Sequence, residues 1–135
     1  MHELTVQTVF SAAHAIVIRG QREPLHGHDW HVKAAVGGDT LDADGLLLDF
    51  HALETELARI VAPFRSVNLN EVAPFDRLNP TAEHVAAHIG GALQHALARP
   101  LDADAKARGV RLLWASVTEA PGCLATWRPD PARPG

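Results

Sequence analysis

The triplet His26-Gly27-His28 has the plainest chemical content in this sequence. In an extended chain, residues two apart project to the same side, so two imidazoles can meet one metal ion while the glycine between them allows close backbone approach. A third nitrogen donor is needed. His14 supplies it if the strand ending there pairs antiparallel with the strand that carries His28. Three neutral imidazoles leave one coordination position for water or substrate, the arrangement of catalytic rather than structural zinc sites. His-x-His is a short motif, and core or surface histidines are the competing account. Two carboxylates stand near this set. Glu23, three residues before His26, is placed as a general acid or base whose pKa the metal charge and burial would tune, or as a solvated loop side chain. Glu119 ends a predicted strand in phase with Leu113 and Val117, so its carboxylate points inward and needs a partner such as a donor-rich ligand. Of the nine histidines, His84 and His88 lie four apart on a helix and can bridge a metal, but solvated helix-face residues are the simpler account. His2, His31, His51 and His95 read as structural or surface residues.

The elements that must position these groups follow from periodicity. Leu4, Val6, Phe10, Ala12 and His14 alternate along one face of a first strand, with Thr8 the odd member. His28, Trp30, Val32, Ala34 and Val36 repeat the pattern, with His31, Lys33 and Ala35 on the other face. Asp49 caps a helix whose apolar stripe is Phe50, Leu53, Leu57, Ile60 and Val61, stopped by Pro63. A polar loop with Asn68, Asn70, Asp76 and Asn79 leads to a second helix over Pro80 to Ala98, striped by Val85, Ile89, Leu93 and Leu97 and ended by Pro100. Val110 to Glu119 and Cys123 to Trp127, joined by a turn at Pro121-Gly122, make a hairpin. The order strand, strand, helix, helix, strand, strand predicts an α+β fold: a four-stranded antiparallel sheet with two helices on one face. Its open edges predict sheets joined between subunits into an oligomeric barrel. Residues 1–128 form a single domain and 129–135 a flexible tail.

The 135 residues suit one core, and 47% apolar with 21% charged residues is ordinary for a globular chain. A formal charge of −4 without a block of like charges predicts no nucleic-acid partner. No apolar run approaches the roughly 18 residues that cross a bilayer, and no targeting segment is legible, so no membrane partner and a cytoplasmic location are expected. The lone Cys123 excludes an internal disulfide framework and a thiolate zinc cluster.

Six motifs in order, Phe10-Ser11-Ala12-Ala13-His14, Leu25-His26-Gly27-His28, Gly45 to Phe50, Leu69-Asn70, Asn79-Pro80-Thr81-Ala82-Glu83 and Val117-Thr118-Glu119, give the chain a further property. It resembles the 6-pyruvoyl-tetrahydropterin and 6-carboxy-tetrahydropterin synthase family, of tunnelling fold, over nearly its whole length. The resemblance implies Zn2+ on His14, His26 and His28, and a small-molecule pterin substrate anchored by Glu119 with Thr81 and Ala82 lining the pocket. It also implies sites between subunits of a homo-oligomer, a trimer or a hexamer of two stacked trimers. The family's usual cysteine falls at Arg22, whereas Glu23 matches a subtype with glutamate three residues before the His-Gly-His motif. The family's Asp-His pair falls at Arg65 and Ser66. The subtype resemblance implies a lyase that cleaves 7,8-dihydroneopterin triphosphate to 6-hydroxymethyl-7,8-dihydropterin for folate synthesis, with Glu23 moving protons. Arg22, together with Arg65, offers positive charge for the triphosphate. The alternatives are 6-carboxy-tetrahydropterin synthesis for deazapurines, 6-pyruvoyl-tetrahydropterin synthesis, and a pterin-binding protein without turnover.

Overall fold

A computed structural model describes residues 1–99 and 103–131. The chain runs β1 (His2–His14), a small hairpin of β2 (Val17–Ile18) and β3 (Gln21–Arg22), β4 (His26–Gly38) and α1 (Phe50–Val61). Then come β5 (Val67–Asn68), α2 (Ala82–Ala98), α3 (Ala103–Ala107), β6 (Arg111–Ala120) and β7 (Cys123–Trp127). The fold is α+β. Its four long strands are antiparallel neighbours as expected, but the sheet has five strands in the order β5-β1-β4-β6-β7. The fifth, β5, runs parallel to β1 beside Ala12 and Ala13, so the sheet is mixed. Two residues are too few for any alternation to announce a strand, and the five residues of α3 too few for a helical stripe.

Alternation becomes a core because one sheet face is covered. Val6, Phe10, Ala12 and His14 of β1 and Trp30, Val32, Ala34 and Val36 of β4 are buried, packed against the helices through Leu53, Leu57, Ile60, Val85, Ile89 and Leu93. Trp30 stacks on Phe10 with ring centres 6.0 Å apart and planes within 4°. The first helix starts as its sequence predicts: the Asp49 carboxylate accepts from the His51 amide at 2.9 Å, and Pro63 follows the end within a 3-10 turn over Ala62–Phe64. Phe50 departs from the expected stripe. It shares the stripe's azimuth, but as the first helical residue it stays 47% exposed beyond the packed core. The second helix begins at Ala82 rather than Pro80, because the Thr81 hydroxyl caps it by accepting from the His84 amide at 3.1 Å. Pro100, its expected stop, lies outside the described residues, as do residues 132–135 of the expected tail.

Two irregularities in β6 change its phase. Ala35 pairs with Trp114 but Val36 with Leu112, leaving Leu113 as an extra residue. The core face is therefore taken by Leu112 before this bulge and by Ala115 and Val117 after it, so Leu113 is not in phase with Glu119 as expected. Thr118 then pairs with Leu124 but Ala120 with Cys123, so Glu119 is itself the extra residue of a second bulge. Among the described residues no helix is long and apolar enough to cross a membrane.

Helix α2 lies close on the sheet at Gly90, where an added methyl would clash with the Trp127 ring and meet Ala115 Cβ at 3.2 Å. Gly90→Ala is expected to cost about 1–3 kcal/mol despite its better helix propensity, read as a lower denaturant midpoint with unchanged slope. His88 sits between Phe64 and Phe75, ring centres 5.5 and 5.6 Å away, and burial holds its pKa below the ordinary value of 6.5. The folded chain thus resists a proton that the unfolded chain accepts, and stability from this site is full above pH 6.5 and lost as the pH falls below it. His88→Leu is expected to flatten the loss of stability as the pH falls below 6.5, measured by thermal melting as a function of pH.

Candidate metal centre

The register of β1 against β4 assembles the histidines. His14 stands opposite His26 and Ala12 opposite His28, so the end of one strand meets the start of the next across the pair. All three rings lie close: centres are 4.7 Å apart for His14–His26 and His26–His28, and 5.2 Å for His14–His28. Trp30 backs them, edge-on to His14 at 4.8 Å and to His28 at 5.9 Å, and its indole N–H donates to the Ala12 carbonyl at 3.1 Å.

Backbone carbonyls fix which nitrogen of two rings faces the centre. His14 Nδ1 donates to the Pro80 carbonyl at 2.8 Å, and His26 Nδ1 to the Pro24 carbonyl at 2.9 Å. A carbonyl only accepts, so each Nδ1 carries the proton and each Nε2 keeps its lone pair in the neutral ring. One donor atom each from His14, His26, His28 and Glu119 lie within 4.8 Å of one another. The Nε2 atoms of His14 and His28 are buried without a hydrogen-bond partner, an expensive state that a coordinated cation would relieve. Three imidazole nitrogens with a carboxylate oxygen are a donor set suited to zinc and similar divalent ions.

The loop that follows β1 is held by two asparagines. Asn70 accepts from the Ala15 amide at 2.8 Å and donates to its carbonyl at 2.9 Å. Asn79 does the same for Val17, both at 2.9 Å. These side-chain amides replace a missing strand partner just past His14. Glu23 closes the other side: its carboxylate accepts from the Ile16 amide at 3.1 Å and lies 3.6 Å from His26 Nε2.

The remaining expected residues are placed as follows. Thr81 caps α2, and Ala82, its first residue, is buried; the Pro80 carbonyl that holds His14 immediately precedes them. Arg22 is exposed on β3, paired with Val17. Arg65 is bound to the outer edge of β1, donating to the Val9 carbonyl at 2.9 Å and Thr8 Oγ1 at 3.4 Å. The Ser66 amide, at positive φ, donates to the Ser11 carbonyl at 2.7 Å. Gly27 is not a close-approach glycine: a methyl there would meet only the Ala12 carbonyl at 4.0 Å, and its outer face opens on a groove shared with Ser11, Asp29 and Ser66. His84 does not pair with His88 around a metal: its Nδ1 donates to the Asn79 carbonyl at 2.7 Å, while His88 is the half-buried ring between two phenylalanines rather than a solvated one. Sequence reasoning missed the two asparagine clamps and the Pro80 carbonyl, of which the only local signals are an Asn before a Pro and an Asn after a Leu.

Fold and site together define a tunnelling-fold protein. Residues 3–130 match the 6-pyruvoyl tetrahydropterin synthase family, and the chain belongs to it. A candidate 6-carboxy-5,6,7,8-tetrahydropterin synthase of Archaeoglobus fulgidus is 31% identical over 84 residues, 62% of this chain and 69% of that protein. The solved Caenorhabditis elegans 6-pyruvoyl tetrahydropterin synthase superposes with TM-score 0.75 at 20% identity, covering 96% of this chain and 98% of that one. A Plasmodium vivax 6-pyruvoyltetrahydropterin synthase gives 0.72 at 20% identity and the same coverage, in a form where a glutamate described as a catalytic residue is replaced by alanine. The family is one of tetrahydropterin synthases, enzymes that act on small pterins.

The burial of the three rings separates their roles. His26, 37% exposed, can be shortened without opening the core, whereas His14 is wholly buried. His26→Ala is expected to lose stoichiometric metal and to melt close to the metal-free wild type, and His14→Ala to lose metal and melt below the metal-free wild type, measured by elemental analysis and thermal unfolding.

Proposed function

We propose that this chain is a zinc enzyme that cleaves the side chain of 7,8-dihydroneopterin triphosphate to 6-hydroxymethyl-7,8-dihydropterin. The observation that supports it most is the Glu23 carboxylate, 3.6 Å from His26 Nε2 at the rim of the three-histidine cluster. Where the family's cysteine would stand is Arg22, an exposed cation, so the proton-moving group on this segment is the glutamate beside it. The Plasmodium vivax relative with a glutamate described as catalytic supports the same choice.

His14, His26 and His28 would hold the zinc, which when bound supplies Lewis acidity that brings an attached hydroxyl toward ionisation near neutral pH. Glu23 takes the proton from the hydroxyl on the second side-chain carbon. The bond between the first and second carbons then breaks, the second becoming an aldehyde that leaves with the triphosphate. Its electron pair stays on the first carbon, conjugated with the ring, and Glu23 returns a proton there. Atoms balance as one pterin alcohol and one phosphorylated aldehyde. Glu119 holds the amino-pyrimidine edge through two parallel hydrogen bonds, with Thr81 and Ala82 beside it and Arg22 near the triphosphate. Arg65 is left out of this role, since its guanidinium is engaged on β1.

Copies of the chain complete the site. Among the described residues the outer edge of β1 is strand-paired only at Ala12 and Ala13, and β7 is the last strand of the sheet, with Val9 and Leu124 exposed on these edges. Pairing edge to edge in a trimer or hexamer covers both. A second reading, 6-carboxy-tetrahydropterin synthesis, is favoured by the name of the Archaeoglobus fulgidus relative.

Anaerobic incubation of zinc-loaded protein with 7,8-dihydroneopterin triphosphate, followed by chromatography and mass, is expected to give 6-hydroxymethyl-7,8-dihydropterin. Glu23→Gln should keep the metal and lower turnover about 100-fold or more. A 6-carboxy or 6-pyruvoyl product would replace this reading with the family alternatives, and bound but unchanged substrate would make the protein a pterin binder.

A further inference from the structure

Glu119 does more at this cluster than a pterin anchor requires. Its Oε1 lies 2.9 Å from His14 Nε2 and 3.1 Å from His28 Nε2, yet neither nitrogen makes a hydrogen bond with it. For His14 the reason lies on the far side of the ring, where Nδ1 spends the proton on the Pro80 carbonyl. A lone pair on Nε2 facing a carboxylate oxygen at this distance is repulsive unless something positive lies between them. Two donor atoms bound to one zinc at ordinary bond lengths stand about 3.3 Å apart at the tetrahedral angle, close to both contacts.

The backbone gives an independent reason for this placement. Glu119 is the extra residue of the bulge between Thr118 and Ala120, and a bulge re-aims the side chain it carries. The carboxylate thereby reaches from β6 across β4 to the ends of β1 and β4, where the histidines meet. Glu23 is placed differently: its Oε1 is 3.6 Å from His26 Nε2 and already accepts the Ile16 amide, and it falls outside the four-residue group.

We propose that Glu119 is a fourth metal ligand in the substrate-free protein, closing the position that three histidines leave open. The inference rests on the metal reading of the cluster and goes beyond it. A carboxylate that ligates through one oxygen cannot also offer both oxygens to an amino-pyrimidine edge. Glu119 therefore exchanges the metal for the pterin, and the open coordination position appears only when a pterin draws the carboxylate away.

Cobalt(II) reports this without turnover. Wild-type protein loaded with one equivalent of cobalt is expected to keep its visible spectrum on titration with azide, because no position is free. Glu119→Ala and Glu119→Gln should each bind cobalt about 10- to 100-fold more weakly and show a saturable azide-induced shift. The glutamine variant preserves the side chain's volume should alanine unfold the chain. A saturable azide shift in the wild type, or unchanged cobalt affinity in both variants, would overturn the role of Glu119 while leaving the three-histidine site intact. Failure of the wild type to bind cobalt stoichiometrically would remove the metal reading, and this proposal with it.

Discussion

His14 has no contact with water, so both of its ring nitrogens must be answered from inside the fold. One is answered by the Pro80 carbonyl, sixty-six residues away, and the other faces a cluster of donor atoms with no proton to share. Everything near the site serves this arrangement. The β1–β4 register brings two more imidazoles to the unanswered nitrogen, Trp30 fills the space behind them, and the start of α2 delivers the carbonyl that sets the tautomer. A metal ion is the natural completion of such a set, because it turns mutual repulsion among lone pairs into attraction to one centre.

Rigidity and access are divided between the two ends of the sheet. The core below the cluster is close-packed, with Phe10, Trp30 and Phe64 in ring contact and α2 pressed against β6 and β7 at Gly90. Above it the chain relies on side-chain amides: Asn70 and Asn79 stand in for a strand partner along Ala15 and Val17. This segment leads directly to the carboxylate of Glu23, which is itself tied back to Ile16. The histidine cluster thus sits where regular pairing stops but polar clamps keep the backbone in place.

Arg65 and Ser66 both serve the edge of β1. Their side chain and backbone satisfy carbonyls on the exposed edge of β1, at Val9 and Ser11. On the other side of β1, Glu23 is tied to Ile16 by both backbone and side chain.

The sequence by itself determined the two long strands with His14 and His28 on their buried faces, the Asp49 cap and stripe of α1, and most of α2, because burial repeats along a chain with the period of its backbone. It also pointed to the family, and offered the three imidazoles that the fold brings together. Tertiary structure alone decided the rest. The fifth strand and α3 are too short to repeat anything, and the bulges at Leu113 and Glu119 are set by cross-strand pairing that no local pattern encodes. The proton on His14 was settled by a carbonyl far away in sequence, and the meeting of Glu119 with two histidines by a bulge that turns its side chain. Contacts of that kind depend on what the fold brings together, and a linear pattern holds only what is near along the chain.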